Sequence, residues 1–337
     1  MSDPQISVVM PVYNREQYLK ESIESILSQN FTNFEFIIVD DQSTDSSWQI
    51  IQKYAAKDSR IVAVKNNNTK GCWAARNFGW DLAKGKYMAI MDSDDIALPE
   101  RLQKEFDFME QNLDVDICGS WIKTFGAEEQ TIQTFKTHEE IRDSMFFINS
   151  MAQPTLILRL SSLEKLQIRY SNNVAEDYDL WSKIIEKLKF ANIPEVLMLY
   201  RIHSNQIGVA NKTEQDQNAN YIRIRNLKNI GITLSEKEVQ IYLDIIKGKV
   251  AKKNKKDLIS TIKMLDKISI AGTKYGYKKL FHDKIRIFIK NITEHSLQNK
   301  ITSLKLYFTT FRKWKIFETP RAHLRYIHHC VRNLLHV

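Results

Sequence analysis

Cysteine is scarce in this 337-residue chain. Its three copies, Cys72, Cys118 and Cys330, are odd in number and far apart, with no CxxC, so neither a disulfide scaffold nor a zinc module fits. A reducing cytoplasm is the simplest compartment. No run of about 18 apolar residues occurs, which excludes an ordinary membrane-spanning helix. The N-terminal MSDPQISVVM has neither a basic head nor a long apolar stretch, so no secretory signal is expected. GxGxxG and GxxxxGK[ST] are both missing, and Gly71, Gly79 and Gly85 are scattered, which argues against a dehydrogenase or a P-loop NTPase. Internal repeats and low-complexity tracts are also absent.

Hydrophobic residues make up 43%, enough for a packed core, and the length suits two domains or one with an appendage. The net charge of +9 hides a split: 22 basic against 30 acidic residues up to Ala210, then 27 against 10 from Asn211 onward. Opposite signs suggest separate jobs. The boundary is expected in the polar stretch Ser204 to Asn220, giving domains 1–210 and 211–337.

The first part alternates strand and helix signals. Ile6 to Met10 reads as a buried strand. Leu19, Ile23, Ile26 and Leu27 recur at helical spacing, and Phe34 to Val39 is a second apolar run. A helix over 46–56, a strand at Ile61 to Val64, a helix over 73–84 and a strand at Tyr87 to Met91 follow. Pro99 suits the first position of another helix with Leu102, Phe106 and Met109 inward. Repeated β-α-β predicts an α/β fold with a mostly parallel sheet and helices on both faces. Ligands of such sheets sit beyond the carboxyl ends of the strands.

Those ends carry Pro11-Val-Tyr13-Asn14-Arg15, Asp40-Asp41 and Asp92-Ser-Asp94-Asp95. On extended chain Asp92 and Asp94 project to the same side, two carboxylates that a hard divalent ion would relieve of mutual repulsion. A polar turn capping the helix at Pro99 is the plainer alternative. The α/β context and the second acidic strand end favour a metal–diphosphate site. Glu176-Asp177 opens a helix with Leu180, Trp181, Ile184, Ile185 and Leu188 apolar, and capping alone could explain that pair.

SVVMPVYN, FIIVDDQSTD, GCWAARNFGWDLAKGKY, MDSDD with LPERL, AEDYDLW and YRIHSNQI follow in one order from about Ile6 to Ile207. Together they resemble the inverting GT-A glycosyltransferases of family 2. The narrower likeness is to bacterial lipooligosaccharide, O-antigen and capsule β-1,3-N-acetylglucosaminyltransferases. The resemblance implies a Rossmann-like GT-A catalytic domain acting on a UDP-sugar with Mn²⁺ or Mg²⁺. It places Pro11, Tyr13, Asp40 and Asp41 at the nucleotide, Tyr13 against the base and Asp41 on its imide. It sets Arg76 at the diphosphate or nucleotide, where its fork of donors matches phosphate oxygens. Asp94 becomes the direct metal ligand, Asp92 a ribose or second metal contact, Asp95 a neighbour of the sugar or acceptor, and His203 a member of the metal shell. Asp177 is implied as catalytic base, with Glu176 orienting the acceptor. Simpler roles stand beside these: a core tyrosine at Tyr13, a cap at Asp41, a surface ion pair at Arg76 and a structural histidine at His203.

The implied reaction transfers a hexose or N-acetylhexosamine from UDP-GlcNAc, or else UDP-Gal or UDP-Glc, to a lipid-linked saccharide. Beyond Tyr221 the chain reads as helical. From Ala271 to Val337 it has 14 basic and 3 acidic residues interleaved with Tyr275, Phe281, Phe288, Tyr307, Phe308, Phe311, Trp314 and Phe317. Such a region suits an anionic membrane surface, making the protein cytoplasmic and peripheral, or a cap, or a homodimer contact. Two readings of another class are a catalytically silent nucleotide-binding scaffold and a nucleic-acid-binding tail. No nucleic-acid motif supports the latter, so no nucleic-acid partner is expected.

Overall fold

The computed structural model describes residues 3–204, 206, 211–249, 255–277 and 279–298. Tyr307, Phe308, Phe311, Trp314 and Phe317 of the basic tail lie outside the described residues. The chain divides into two compact units, Met1–Ile222 and Arg223–Val337.

The first unit begins β1 (Ile6–Val12), α1 (Leu19–Leu27), β2 (Phe34–Asp40), α2 (Ser47–Ala55), β3 (Ile61–Lys65), α3 (Cys72–Leu82), β4 (Tyr87–Ile90). The central strands are mostly apolar because both of their faces are covered. Val8, Met10, Phe36 and Ile38 face a core closed by Leu19, Ile23 and Ile26 of α1 and Ile51 of α2. Val9, Ile37 and Val39 face a second core with Ala75 and Trp80 of α3.

The chain continues through β5 (Ile96–Ala97), α4 (Arg101–Gln111), β6 (Ile117–Gly126), β7 (Thr131–Ile132), α5 (His138–Ser144), β8 (Ile157–Arg159), α6 (Leu160–Glu164), α7 (Glu176–Ile184) and β9 (Phe190–Ile202). The sheet order is β3-β2-β1-β4-β8-β6-β9-β5, with β7 on β6. The first four strands run parallel as expected. The remainder is mixed, since β8 lies antiparallel to both β4 and β6, and β5 is antiparallel to β9, while β6 and β9 are parallel. Pro99 is not the first helical residue. It sits in a turn closed by the Arg101 N–H on the Leu98 carbonyl at 2.9 Å, and α4 starts after it. Leu102 and Met109 are buried and Phe106 packs against them, as the spacing predicts.

Gly85, at the entry to β4, is a point of close approach. A Cβ there would stand 2.6 Å from the Ser7 nitrogen and 2.8 Å from the Tyr87 oxygen, both backbone atoms that cannot swing aside. Gly85→Ala is expected to destabilise the first unit by about 1–3 kcal/mol, an overpacking cost read as a lower urea midpoint.

The polar stretch expected as a boundary is helical from Lys212 onward: α8 (Lys212–Asn229) crosses the division between the units. Ile222 on this helix packs in the second core of the first unit, which moves the division beyond Asn220. In the second unit, α9 (Glu236–Ile246) opens with a capping box between Ser235 and Glu238. It is followed by α10 (Lys255–Lys274) and α11 (Lys279–Gln298). Leu258, Ile262 and Leu265 on α10, and Phe281, Ile285 and Ile289 on α11, recur at helical spacing and are buried. Among the described residues no helix is long and apolar enough to cross a membrane.

Candidate active site

β1 is the switch point of the sheet, with β2 on one side and β4 on the other. Its ladder with β4 ends where the Met91 N–H reaches the Val9 carbonyl, while toward β2 the Asp41 N–H still bonds the Val12 carbonyl at 2.7 Å. The backbone of Pro11 therefore faces the side that β4 has left. Proline has no N–H to leave unpaired in that gap. The gap opens into a cleft of about 700 Å³ lined by Pro11, Tyr13, Asp41, Arg76, Asp92, Asp94, Glu176 and Asp177, among others.

Tyr13 is no core tyrosine: it is 41% exposed, with the Lys70 ammonium 4.0 Å from its ring centre. Asp41 does not cap α2, whose N-cap is Ser46. One carboxylate oxygen accepts from Asn66 Nδ2 at 2.7 Å and the other from the Gly71 N–H at 2.8 Å. Gly71 has φ +139°, a backbone that favours glycine, and it leads directly into α3. Asp40 does not reach the cleft. It is buried beneath the loop, where Oδ2 accepts from the Ser43 N–H at 3.3 Å and helps to shape the strand end.

The acidic triplet is arranged differently from the extended-chain expectation. β4 stops at Ile90 and the chain turns at Ser93-Asp94, so the triplet is not extended strand, and each carboxylate takes its own partners. Asp92 accepts from Arg76 Nη2 at 2.8 Å. Asp94 Oδ2 lies 3.1 Å from both Arg15 Nε and His203 Nε2. Asp95 is fully buried and points away from the cleft. Its Oδ1 accepts the Arg201 N–H at 2.9 Å, and its backbone carbonyl accepts from Ser22 of α1 at 2.7 Å. Burial and the nearby charges of Asp94 and Asp92 push the Asp95 carboxyl far above the usual carboxylate range. Its carboxyl and its backbone carbonyl both serve to hold the turn. Arg201 Nε also donates to the Asp94 carbonyl at 2.8 Å. Pairing of Ile96 on β5 with Leu199 on β9 sets Asp94 and His203 side by side.

Arg76 is not a surface cation. It is 6% exposed, and its other end donates to Glu176 Oε1 at 2.5 Å. Two arms of the guanidinium are thus held by carboxylates, so Arg76 ties the end of β4 to the start of α7 while still lining the cleft. Neither acid at the start of α7 serves as the N-cap, which is Ala175. Asp177 accepts only from neutral donors, Asn149 Nδ2 at 2.9 Å and the Tyr178 N–H at 2.7 Å. Burial, then the charge of Glu176, pushes its carboxyl up to about 6. Burial pushes the neighbouring Cys72 thiol up to about 12, which leaves it a neutral part of the wall.

Arg15, Asn149, Lys70 and Arg201 gain their place at the site from the structure. Arg201 and Arg15 do lie within the YRIH and PVYNR blocks, whereas nothing in the composition around Asn149 marks it.

A divalent ion can be tested against the donors present. Two ligands on adjacent corners of an octahedron with bonds of about 2.1 Å stand roughly 3 Å apart. The 3.1 Å between Asp94 Oδ2 and His203 Nε2 matches that edge. Asp92, held by Arg76, does not join them, and among the described residues no group of three or more acidic, histidine or cysteine side chains is assembled as a metal cage. One or two carboxylates with the rest of the shell left to phosphate and water is the usual arrangement for Mg²⁺, so Asp94 fits that role and the spacing sets His203 at an adjacent position.

Comparison with known proteins agrees with this architecture. The profile of Glycosyl transferase family 2 matches residues 7–166. An uncharacterized glycosyltransferase of Methanocaldococcus jannaschii is 40% identical over 209 residues, which cover 60% of this chain and 72% of that protein. The Escherichia coli UDP-Glc:alpha-D-GlcNAc-diphosphoundecaprenol beta-1,3-glucosyltransferase WfaP is 34% identical over 247 residues, 72% of this chain and 93% of WfaP. The crystal structure of S. aureus TarS 1–349 in complex with UDP-GlcNAc superposes with a TM-score of 0.58 at 19% identity, covering 95% of this chain and 92% of that one. The first unit has the GT-A fold, and the chain belongs to glycosyl transferase family 2.

Proposed function

We propose that the protein is a metal-dependent, inverting glycosyltransferase. It moves a hexose or N-acetylhexosamine from a UDP-sugar to a hydroxyl of a lipid-linked saccharide in the synthesis of a bacterial surface polysaccharide or lipooligosaccharide. The observation that carries this is one cleft lined by an exposed aromatic face, an oriented carboxylate and Asp177. Tyr13 and Asp41 suit a uracil ring by stacking and by accepting from its imide. Mn²⁺ or Mg²⁺ held by Asp94 and His203 would supply Lewis-acid stabilisation of the diphosphate oxygens.

The carboxylate of Asp177 accepts the proton of the acceptor hydroxyl. The freed oxygen bonds to the anomeric carbon from the face opposite the diphosphate, and the electron pair of the broken C–O bond leaves with UDP. Glu176 is the weaker base because Arg76 already occupies it. A general base works best with a pKa near the working pH, and that of Asp177, about 6, meets this.

UDP-GlcNAc is the first donor to try, with UDP-Glc and UDP-Gal next. The activity for which WfaP is named supports a sugar on diphosphoundecaprenol as acceptor class. The lysine-rich α10 and α11, which also expose Ile270 and Ile287, suit an anionic membrane surface on the cytoplasmic side, where such an acceptor would be met.

The test is a screen of nucleotide-sugars with and without Mn²⁺, read by melting temperature and by slow UDP release. One UDP-sugar is expected to raise the melting temperature only with metal present, in proportion to the logarithm of concentration over dissociation constant. Equal stabilisation by all nucleotides with no UDP release would instead favour the silent scaffold.

A further inference from the structure

The loop between α5 and β8 carries a residue without charge in direct contact with the assigned base. Asn149 accepts the Met151 N–H on its Oδ1 at 3.1 Å, which orients the amide and leaves Nδ2 to donate to Asp177 Oδ2 at 2.9 Å. The loop is anchored on both sides of this contact. The Tyr178 hydroxyl donates to the Met145 carbonyl at 2.7 Å, and the Ser144 and Ser150 hydroxyls are 2.7 Å apart in the interior. The second oxygen of Asp177 takes the Tyr178 N–H from its own helix. One donor on each oxygen fixes the plane of the carboxylate and leaves its remaining lone pairs for the cleft.

We infer that Asn149 is the positioning residue of the general base: its amide holds Asp177 in one orientation and favours the ionised form, so that an incoming hydroxyl meets an aligned acceptor. This rests on the assignment of Asp177 proposed above. The charged groups around Asp177 make a neutral donor useful. Glu176 on the same helix and Asp92 beyond β4 both disfavour a further negative charge, and Arg76 of α3, the cation that opposes them, is shared between those two acids. A lysine or arginine at position 149 would stabilise the carboxylate too strongly for it to accept a proton readily. An amide keeps it ionised yet basic.

Asn149→Leu keeps the approximate shape and removes the donor, and Asn149→Ser removes it with less bulk. In either variant, kcat is expected to fall by about 10–100-fold, as for other groups that orient a reacting residue. The donor KM should stay within about twofold, and the acid limb of the pH–kcat profile should rise by about one pH unit or more, the shift expected on losing a hydrogen bond to a charged group. The Asp177 carboxyl, followed by ¹³C NMR in aspartate-labelled protein, should titrate higher by the same amount. An unmoved acid limb together with an unmoved Asp177 titration in a folded variant overturns the inference, whatever happens to kcat. A raised titration with an unmoved limb instead shows that Asn149 holds Asp177 but that Asp177 is not the base. That outcome sinks the underlying assignment and is distinguishable from the first.

Discussion

Asp177→Asn is expected to lose about 10²–10⁴-fold in turnover, the usual share of a general base. Its affinity for nucleotide-sugar, measured by calorimetry, should stay within about twofold of the parent value. The substitution is nearly isosteric, and an amide oxygen can still accept from Asn149 or from the Tyr178 N–H. What disappears is the acceptor for the hydroxyl proton. The pH dependence supplies a second reading. Burial and Glu176 raise Asp177 to about 6, so activity of the parent enzyme should fall as pH drops through that value and the carboxylate is protonated. The residual rate of Asp177→Asn should show no such limb. Near-parental turnover in saturating metal would remove Asp177 from the reaction.

The second large effect is on stability. Arg101 and Glu105, one turn apart on α4, form an ion pair with no exposure at either side chain, at 2.8 Å. Arg101 also donates to the carbonyl of Ile90, the last residue of β4, at 2.8 Å. Arg101→Met should cost about 3–5 kcal/mol, because it strands a buried carboxylate. The double substitution Arg101→Met with Glu105→Leu should recover much of that loss, since no charge is then left in the core. Even with Arg101 present, burial raises Glu105 to about 7. A carboxyl whose folded pKa lies above its unfolded one contributes stability below the unfolded value, near 4.5, and that contribution is lost as pH rises through about 7. Melting curves of Arg101→Met should therefore worsen most above neutrality and approach the parent near pH 5. A loss independent of pH would show that the missing bond to Ile90, and not the carboxylate, is responsible.

The alternating first half of the chain was legible because β1 and β2 are covered on both faces and read as predominantly apolar runs between amphipathic helices. The residues at their ends followed from topology alone. β9 was harder to see. Pro194 and Glu195 bulge out of it where the register with β6 jumps from Ile193 to Val196, and a proline inside an apolar stretch reads as a break. β5 has only two residues and no periodicity of its own. The spacing of Asp92 and Asp94 carries less than it promises for a local reason: same-side projection holds on extended backbone, and here the chain turns at Ser93. Arg15 and Asn149 could not be placed from sequence because their partners lie 79 and 28 residues away, and spacing carries no signal at those separations. The assignments of Tyr13, Asp41, Asp94 and Asp177 came from the family resemblance. The cleft brings those four together, while Asp40 and Asp95 turn inward to support the backbone.

The pairing of β5 with β9 works like a caliper. One jaw is the turn before Ile96, the other the three residues after Tyr200, and the setting between them is fixed by the β5–β9 ladder together with the bonds of Asp95 and Arg201 across it. Inserting or deleting one residue between Leu199 and His203 would swing the imidazole to the opposite side of the ribbon while leaving every apolar contact upstream intact. Loop lengths elsewhere can drift during evolution at small cost, but this short span is a ruler that tolerates no change of count.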